Sequence, residues 1–181
     1  RQDAAALCEL FVVNGVGVSE ARRKVVELFS PPRVTVEMRK MPNLGLLPGE
    51  CFDLRGDADG RRWNFLKASD RREARRRIAR GKPLFVIGSP PCTEYSILNR
   101  GLNHPRMDPA EVLRRRIEAD VLLHFALEVY AFQVKEGRHF IHEHPKTAKS
   151  WEDPKMQALL RQQGVRTVVA DLCAYGLVAQ T

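Results

Sequence analysis

The chain has 181 residues, of which 44% are hydrophobic and 29% charged. This length and composition predict one ordinary domain with a packed core, and they exclude a wholly disordered chain. Thirty Lys and Arg against twenty-two Asp and Glu leave a formal net charge of +8, which favours phosphate-rich partners. The longest apolar stretch, residues 121–134, is too short and too polar to cross a bilayer, so no membrane partner is expected.

The start of the chain and its cysteines indicate a cellular compartment. The sequence begins with Arg1 and shows no secretory signal, so we expect an intracellular piece (nucleus or cytoplasm) of a longer protein. In such a reducing compartment the cysteines stay free thiols. They form no Cys-x-x-Cys pair, which excludes a zinc ribbon, and no metal site is predicted; they stand at positions 8, 51, 92 and 173.

Helical and strand-like segments alternate along the chain. In chain order the pattern predicts a helix over 3–13, a strand over 25–29, a helix over 33–41, strands over 50–54 and 63–65, a helix over 69–80 capped by Ser69, a strand over 84–87, a helix over 110–136, a strand over 139–142, a helix over 154–164 and a strand over 165–171. The apolar runs are continuous, which is typical of a parallel sheet covered on both faces. We therefore expect an α/β, doubly wound, mostly parallel, Rossmann-like domain over 25–181, after a helical extension over 1–24.

Ligands of an open parallel sheet bind beyond the carboxyl ends of its strands, so the residues that follow each strand matter most. Asp53 and Glu143 each follow a predicted strand. Cys92 follows another strand and two prolines that stiffen its backbone, and we single it out as a candidate nucleophile. Cys8 and Cys51 are expected to be ordinary buried thiols, an interpretation that stays open for Cys92 as well.

The segment Gly88-Ser89-Pro90-Pro91-Cys92-Thr93-Glu94-Tyr95-Ser96 resembles the catalytic loop of C5-cytosine DNA methyltransferases. The likeness covers about 25–178, because other family elements follow in order: Glu27-Leu28-Phe29-Ser30, Asp53, Asn64, Glu143-His144-Pro145 and Tyr175-Gly176. The stretches 28–34, 89–93 and 142–145 are similar, more closely still, to methyltransferase-like domains in retroelement-type polyproteins of protists.

This resemblance implies transfer of a methyl group from S-adenosylmethionine to C5 of cytosine, in DNA rather than RNA. It implies that Cys92 attacks C6 of a flipped base while Glu143 holds N3 and the exocyclic amine. It also implies that the domain ends before the target-recognition part, and that Ser96 contacts nucleic acid. The implied cofactor-binding residues are Phe29, Ser30, Asp53, Asn64 and Pro91.

The chain departs from the family where the glycine loop is replaced by Ser30-Pro31-Pro32-Arg33, since prolines remove amide donors. A catalytically inactive module that binds nucleic acid, or that serves a structural role in a larger polyprotein, therefore stays open. A third possibility is an amino-group methyltransferase. Such an enzyme carries an aromatic residue where Cys92 stands, so Cys92 argues against it.

Several charged residues and histidines have more than one possible role. Seven basic residues crowd 70–82, and Arg71 and Arg75 are candidates for contacting a phosphate backbone, although a solvated helix face would look the same. Glu143 could instead pair with Arg138. The three histidines at 139, 142 and 144 are interpreted as surface, core or supporting groups, because strand alternation divides them between two faces.

Overall fold

The structure is a computed structural model that describes residues 23–57, 59–171 and 174. The predicted helix over 3–13, nearly all of the extension over 1–24 and the Tyr175-Gly176 pair lie outside the described residues. The helices and strands are β1 (Lys24–Leu28), α1 (Val34–Met38), β2 (Leu47–Phe52), α2 (Ala68–Gly81), β3 (Phe85–Gly88), α3 (Pro109–Lys135), β4 (His139–His142) and α4 (Pro154–Leu160).

The four strands form one sheet in the order β2-β1-β3-β4, and every neighbouring pair is parallel. Leu28 of β1 lies opposite Phe52 of β2 and Gly88 of β3, and Gly88 lies opposite His142 of β4. The carboxyl ends of all four strands are therefore level. The chain runs outward from β1 to β2 and then returns to β3, which makes the β1–β3 junction a topological switch point. The predicted α/β, parallel, Rossmann-like fold is confirmed.

Successive strand residues face opposite sides of the sheet, and each side has its own core. The larger core joins the sheet to α2, α3 and α4 and includes Val26, Val86, Ile78, Leu123 and Met156. The smaller core joins the other side to α1 and includes Val25, Phe85 and Met38. Helices thus cover both faces, as a doubly wound domain requires. None of the described helices is both long and apolar enough to span a membrane.

The predicted strand over 63–65 is wrong. Trp63 and Phe65 are buried in the larger core, but their segment joins no sheet. The backbone N–H of Trp63 donates to the carbonyl of Asp53 at 2.9 Å, and its indole N–H donates to the carboxylate of Asp57 at 2.8 Å. A compact turn therefore satisfies the polar groups that a sheet ladder would otherwise have to satisfy.

The predicted strand over 165–171 is also wrong. The segment has no regular structure, and Val168 and Val169 are 81% and 62% exposed. No described strand lies beside the outer edge of β4, so β-forming residues alone do not build a strand here.

The predicted N-terminal cap of α2 is wrong as well. The helix begins at Ala68, and Lys67 occupies the cap position instead of Ser69.

Candidate functional site

A cavity of about 360 Å³ opens at the carboxyl ends of the strands. This volume falls within the range of roughly 300–1,000 Å³ that is typical of small-molecule sites. Its lining comes from four segments that are distant in sequence, each following a different strand. The structure therefore brings together four of the predicted site residues, namely Phe29, Ser30, Asp53 and Glu143.

Phe29 turns the chain at the end of β1. Its φ of 60° lies in the left-handed region, which destabilises a residue with a side chain by about 1–2 kcal/mol. The Phe29 N–H donates to the carbonyl of Phe52 at 2.9 Å, and its ring packs edge-on against Phe65 with centroids 5.1 Å apart. Glycine would be less strained at this position of the cavity lining. The aromatic packing of Phe29 therefore stabilises the turn despite its strained backbone.

Beneath this turn lies Glu27, which is 1% exposed. Its carboxylate accepts hydrogen bonds from the backbone N–H groups of Arg33 at 3.1 Å, Val34 at 3.2 Å and Thr35 at 2.8 Å. Burial raises the pKa of Glu27, but these hydrogen bonds outweigh burial, so the pKa lies below its ordinary value of 4.5. The amides of the first turn of α1 are therefore satisfied from within the chain. Sequence reasoning missed this role, although an acidic residue inside an apolar strand was the available signal.

Asp53 directly follows β2 and is 9% exposed. Its Oδ1 accepts a hydrogen bond from the N–H of Arg55 at 2.8 Å, which fixes the carboxylate in the cavity lining. Arg33 and Arg55, both exposed, add positive charge to the same lining. A carboxylate accepts hydrogen bonds from sugar hydroxyls, and a guanidinium pairs with a carboxylate. These groups fit the ribose and the carboxylate of S-adenosylmethionine, whereas the α1 amides are already used by Glu27.

Cys92 lies in the loop that leaves β3 and is half-buried. Its carbonyl accepts a hydrogen bond from the N–H of Tyr95 at 3.0 Å, and the buried Tyr95 hydroxyl donates to Asp120 of α3 at 2.7 Å. The loop is thus fixed to the long helix. The cavity lining reaches this loop at Ser89 but does not include Cys92.

Two hydrogen bonds join the end of β3 and this loop to the segment after β4. The N–H of Glu143 donates to the carbonyl of Gly88 at 3.2 Å, and Nε2 of His144 lies 2.7 Å from the carbonyl oxygen of Pro90. Glu143 is exposed and lines the cavity. The predicted nucleophile and the predicted base-binding carboxylate are therefore carried by two segments that contact each other directly.

The alternative pairing of Glu143 with Arg138 is wrong, because the two residues stand at opposite ends of β4. The strand rises about 3.3 Å per residue, which separates them by more than both side chains can span. The Nε–H of Arg138 donates to the side-chain oxygen of Gln133 at 2.9 Å, and its Nη1 lies 3.7 Å from Glu136.

His142 in β4 and His144 just after β4 are supporting groups. Burial and, to a smaller extent, the neighbouring His144 together lower the pKa of His142 to about 3. Burial also lowers the pKa of His144. The His142 ring packs edge-on against Trp151 with centroids 5.4 Å apart. Among the described residues, no group of three or more His, Cys, Asp or Glu is arranged to hold a metal ion.

Two predicted cofactor residues lie outside this cavity. The side-chain oxygen of Asn64 accepts a hydrogen bond from the N–H of Leu66 at 3.0 Å, just before α2, and Asn64 is not part of the lining. Pro91 is exposed and is also absent from the lining. Sequence order alone suggested Asn64, but the turn at 63–65 gives its side chain a local structural role instead.

The predicted nucleic-acid contacts are scattered and largely engaged within the chain. Arg71 donates from Nη1 to the carbonyls of Phe65 and Leu66 at 2.6 and 3.0 Å. Arg75 pairs with Glu128 of α3 at 2.7 Å. The hydroxyl oxygen of Ser96 lies 3.4 Å from the N–H of Asn99, from which it accepts a hydrogen bond. Arg76 and Arg77 of α2 both pair with Glu73, so with the Arg75–Glu128 pair much of the positive charge of this helix is compensated locally.

Comparison with known proteins adds no assignment: no protein-family model, no curated protein and no solved structure matches the chain.

Proposed function

We propose that this domain transfers a methyl group from S-adenosylmethionine to C5 of cytosine in DNA. One observation carries the proposal: Phe29, Ser30, Asp53 and Glu143 line a single cavity at the switch point, next to the loop of Cys92. The reaction needs a cofactor pocket, a thiol and a carboxyl group that binds the base, all at one edge of the sheet. The arrangement supports this reaction because those groups come from the ends of neighbouring strands.

The chemistry follows from the roles of the side chains. Asp53 and an arginine of the lining bind the cofactor, which when bound supplies an electrophilic methyl group. The Cys92 thiolate adds to C6 of a cytosine that has flipped out of the stack, while Glu143 gives a proton to N3. This addition makes C5 nucleophilic, so C5 would accept the methyl group of a bound cofactor as the sulfonium S–CH₃ bond breaks, which leaves the neutral thioether S-adenosylhomocysteine. Loss of the C5 proton to water and cleavage of the C6–S bond then restore Cys92, and the N3 proton returns to Glu143.

Covalent trapping tests the thiol step. In a DNA duplex that carries 5-fluorocytosine, fluorine replaces the C5 hydrogen and cannot leave as a cation, so with S-adenosylmethionine present the elimination is blocked and the Cys92–C6 bond persists. We expect a stable protein–DNA adduct, which mass spectrometry locates at Cys92. Cys92→Ala should abolish the adduct, whereas Cys51→Ala, which removes a thiol outside the cavity lining, should retain it. An adduct that survives Cys92→Ala would contradict the proposed mechanism.

Calorimetric titration with S-adenosylhomocysteine tests the cofactor step separately. Asp53→Ala removes a hydrogen-bonding carboxylate from the lining, so we expect affinity to fall about tenfold. Asp59→Ala is the matched control, because Asp59 is exposed in the following loop and is absent from the lining. Equal affinities for the Asp53→Ala variant and the unaltered chain would contradict the assigned cofactor site.

A second function is favoured by one specific observation. The α1 amides, which could hold an anionic ligand, are occupied by Glu27, and Pro31 and Pro32 supply no amide. These features suit an inactive methyltransferase-like module that binds nucleic acid without the cofactor. This alternative predicts no heat on titration with S-adenosylhomocysteine, together with DNA binding that weakens steeply as salt increases.

A further inference from the structure

His144 links the segment that carries Glu143 to the segment that carries Cys92. The imidazole is 8% exposed, and both of its nitrogens are engaged. Nε2 lies 2.7 Å from the carbonyl oxygen of Pro90, and Nδ1 lies 2.6 Å from the hydroxyl oxygen of Ser150, which is itself fully buried. The ring therefore forms a bridge between the loop after β3 and the turn that precedes α4.

The two partners determine which nitrogen of His144 carries the proton. A carbonyl oxygen only accepts hydrogen bonds, so Nε2 must be protonated to donate to Pro90. Nδ1 then accepts from the Ser150 hydroxyl. Of the two neutral tautomers, only the Nε2–H form satisfies both contacts, and burial, which lowers the pKa of His144, maintains the neutral form. Ser150 thus orients a donor whose target is the loop of Cys92.

The His144 donor matters because the two residues before Cys92 have no backbone donors. Pro90 and Pro91 have no N–H groups, so neither can donate a backbone hydrogen bond. The segment after β4 contacts the loop through carbonyl oxygens, at Gly88 by the N–H of Glu143 and at Pro90 by His144, in addition to the bond from the Tyr95 N–H to the Cys92 carbonyl within the loop. The Pro90 contact is the nearer of the two to Cys92, only two residues away.

We propose that His144 is a positioning residue that fixes the Cys92 thiol relative to Glu143. The Nε2–H of His144 fixes the Pro90 carbonyl, and the stiff Pro91 ring transmits this placement to Cys92. This inference concerns the placement of the thiol and does not depend on methyl transfer, so it can be tested by the reactivity of the thiol alone.

Two substitutions of His144 distinguish the contact made by Nε2 from the contact made by Nδ1. His144→Gln places an amide N–H near the position of Nε2 and can still donate to Pro90. His144→Asn is shorter, reaches only the Nδ1 side and loses the Pro90 contact. We expect His144→Asn to free the loop and to raise the rate of Cys92 alkylation by iodoacetamide about tenfold, the equivalent of one lost hydrogen bond. With His144→Gln the rate should remain close to that of the unaltered chain.

Cys51 provides an internal control for unfolding. It is 6% exposed, and burial raises the pKa of its thiol to about 11, so it reacts slowly while the core is intact. Peptide-resolved mass spectrometry measures both thiols in one sample. Faster reaction of Cys92 with a protected Cys51 supports the inference. Unchanged reaction of Cys92 in His144→Asn, with Cys51 protected, overturns it.

Ser150→Ala provides a second, milder test if His144→Asn also exposes Cys51. It leaves the ring in place but removes the group that fixes its tautomer, so we expect Cys92 to react several-fold faster. No change in the rate of Cys92 alkylation in Ser150→Ala overturns the inference.

If the 5-fluorocytosine adduct forms, His144→Asn should slow its formation by up to about 100-fold, and His144→Gln should restore much of the rate. Failure of the adduct in every variant would count against methyl transfer alone, since the alkylation result is independent of it.

Discussion

The carboxylate of Glu27 accepts both the backbone N–H of Thr35 at 2.8 Å and the Thr35 hydroxyl at 2.7 Å. This pair joins the buried end of β1 to the first turn of α1. Cys51 of β2 lies against the same two residues, with its sulfur 3.3 Å from the Thr35 hydroxyl. An acidic side chain inside a parallel sheet is costly unless its oxygens are fully hydrogen-bonded, and here the helix start supplies the donors.

Replacing Glu27 by Gln should therefore destabilise the domain. The amide nitrogen of Gln has hydrogens that would face N–H donors, and the charge-assisted bonds are lost. We expect the free energy of unfolding at about pH 7 to fall by about 2–3 kcal/mol, as measured by urea denaturation. Glu37→Gln is the matched control, because Glu37 is an exposed partner of Lys40 on α1 and its loss should change stability by less than about 1 kcal/mol.

The difference in stability between the unaltered chain and the Glu27→Gln variant should depend on pH, and the pKa of Glu27 gives the direction. The pKa of Glu27 is lower in the folded state than its ordinary 4.5, so its contribution is complete above pH 4.5 and is lost as pH falls through the folded value. The stability gap between the unaltered chain and Glu27→Gln should therefore narrow below pH 4.5. A gap that stays constant down to about pH 3 would contradict the buried carboxylate anchor.

Sequence patterns predicted the elements that depend on local periodicity. They missed the features that depend on how polar groups from distant segments are hydrogen-bonded in the folded chain. The helices α2 and α3 were predicted within one residue because their hydrophobic faces repeat over several turns. The cavity residues Asp53 and Glu143 were predicted from their positions at strand ends, and Phe29 and Ser30 from the resemblance to C5-cytosine DNA methyltransferases. Arg33 and Arg55 were missed, because a loop residue joins a site only through the path of its backbone, which the pattern does not reveal.

Gly88 is required by the close approach of Tyr130. A Cβ placed on Gly88 would overlap the Tyr130 hydroxyl, and both residues are buried. We expect Gly88→Ala to lower the free energy of unfolding by about 1–3 kcal/mol through overpacking. In a Tyr130→Phe background the same change should cost less, because the overlapping oxygen is gone. A double-mutant cycle in urea measures this coupling.

Gly81→Ala is the control for this cycle. Gly81 is the last residue of α2, and a Cβ there meets nothing within 4 Å. Alanine has the higher helix propensity, so this change should be neutral or should stabilise the protein by up to about 1 kcal/mol. Equal effects of the alanine substitutions at positions 81 and 88 would contradict the close contact with Tyr130.

His142 should make the domain sensitive to mild acid. Burial holds its folded-state pKa at about 3, whereas the unfolded side chain titrates near 6.5. Because the unfolded chain binds the proton first, stability falls by up to about 1.4 kcal/mol per pH unit below about pH 6. His142→Phe should reduce this slope, since the ring remains packed but no longer titrates. His139→Gln, which replaces an exposed histidine, should leave the slope in place; an unchanged slope in His142→Phe would contradict the buried neutral ring.

The charge pairing on α2 predicts which arginine matters for DNA. Arg75 is engaged by Glu128, whereas Arg72 is exposed and has no acidic partner among the described residues. A cation that is already paired releases fewer counterions on meeting a phosphate. If α2 contacts DNA, Arg72→Gln should lower the slope of log affinity against log salt by about one, and Arg75→Gln should lower it less. Fluorescence anisotropy with a labelled duplex between about 50 and 200 mM salt measures both slopes. Equal slopes for both variants and the unaltered chain would mean that α2 does not contact the phosphate backbone. The basic residues of α2 would then form a solvated helix face.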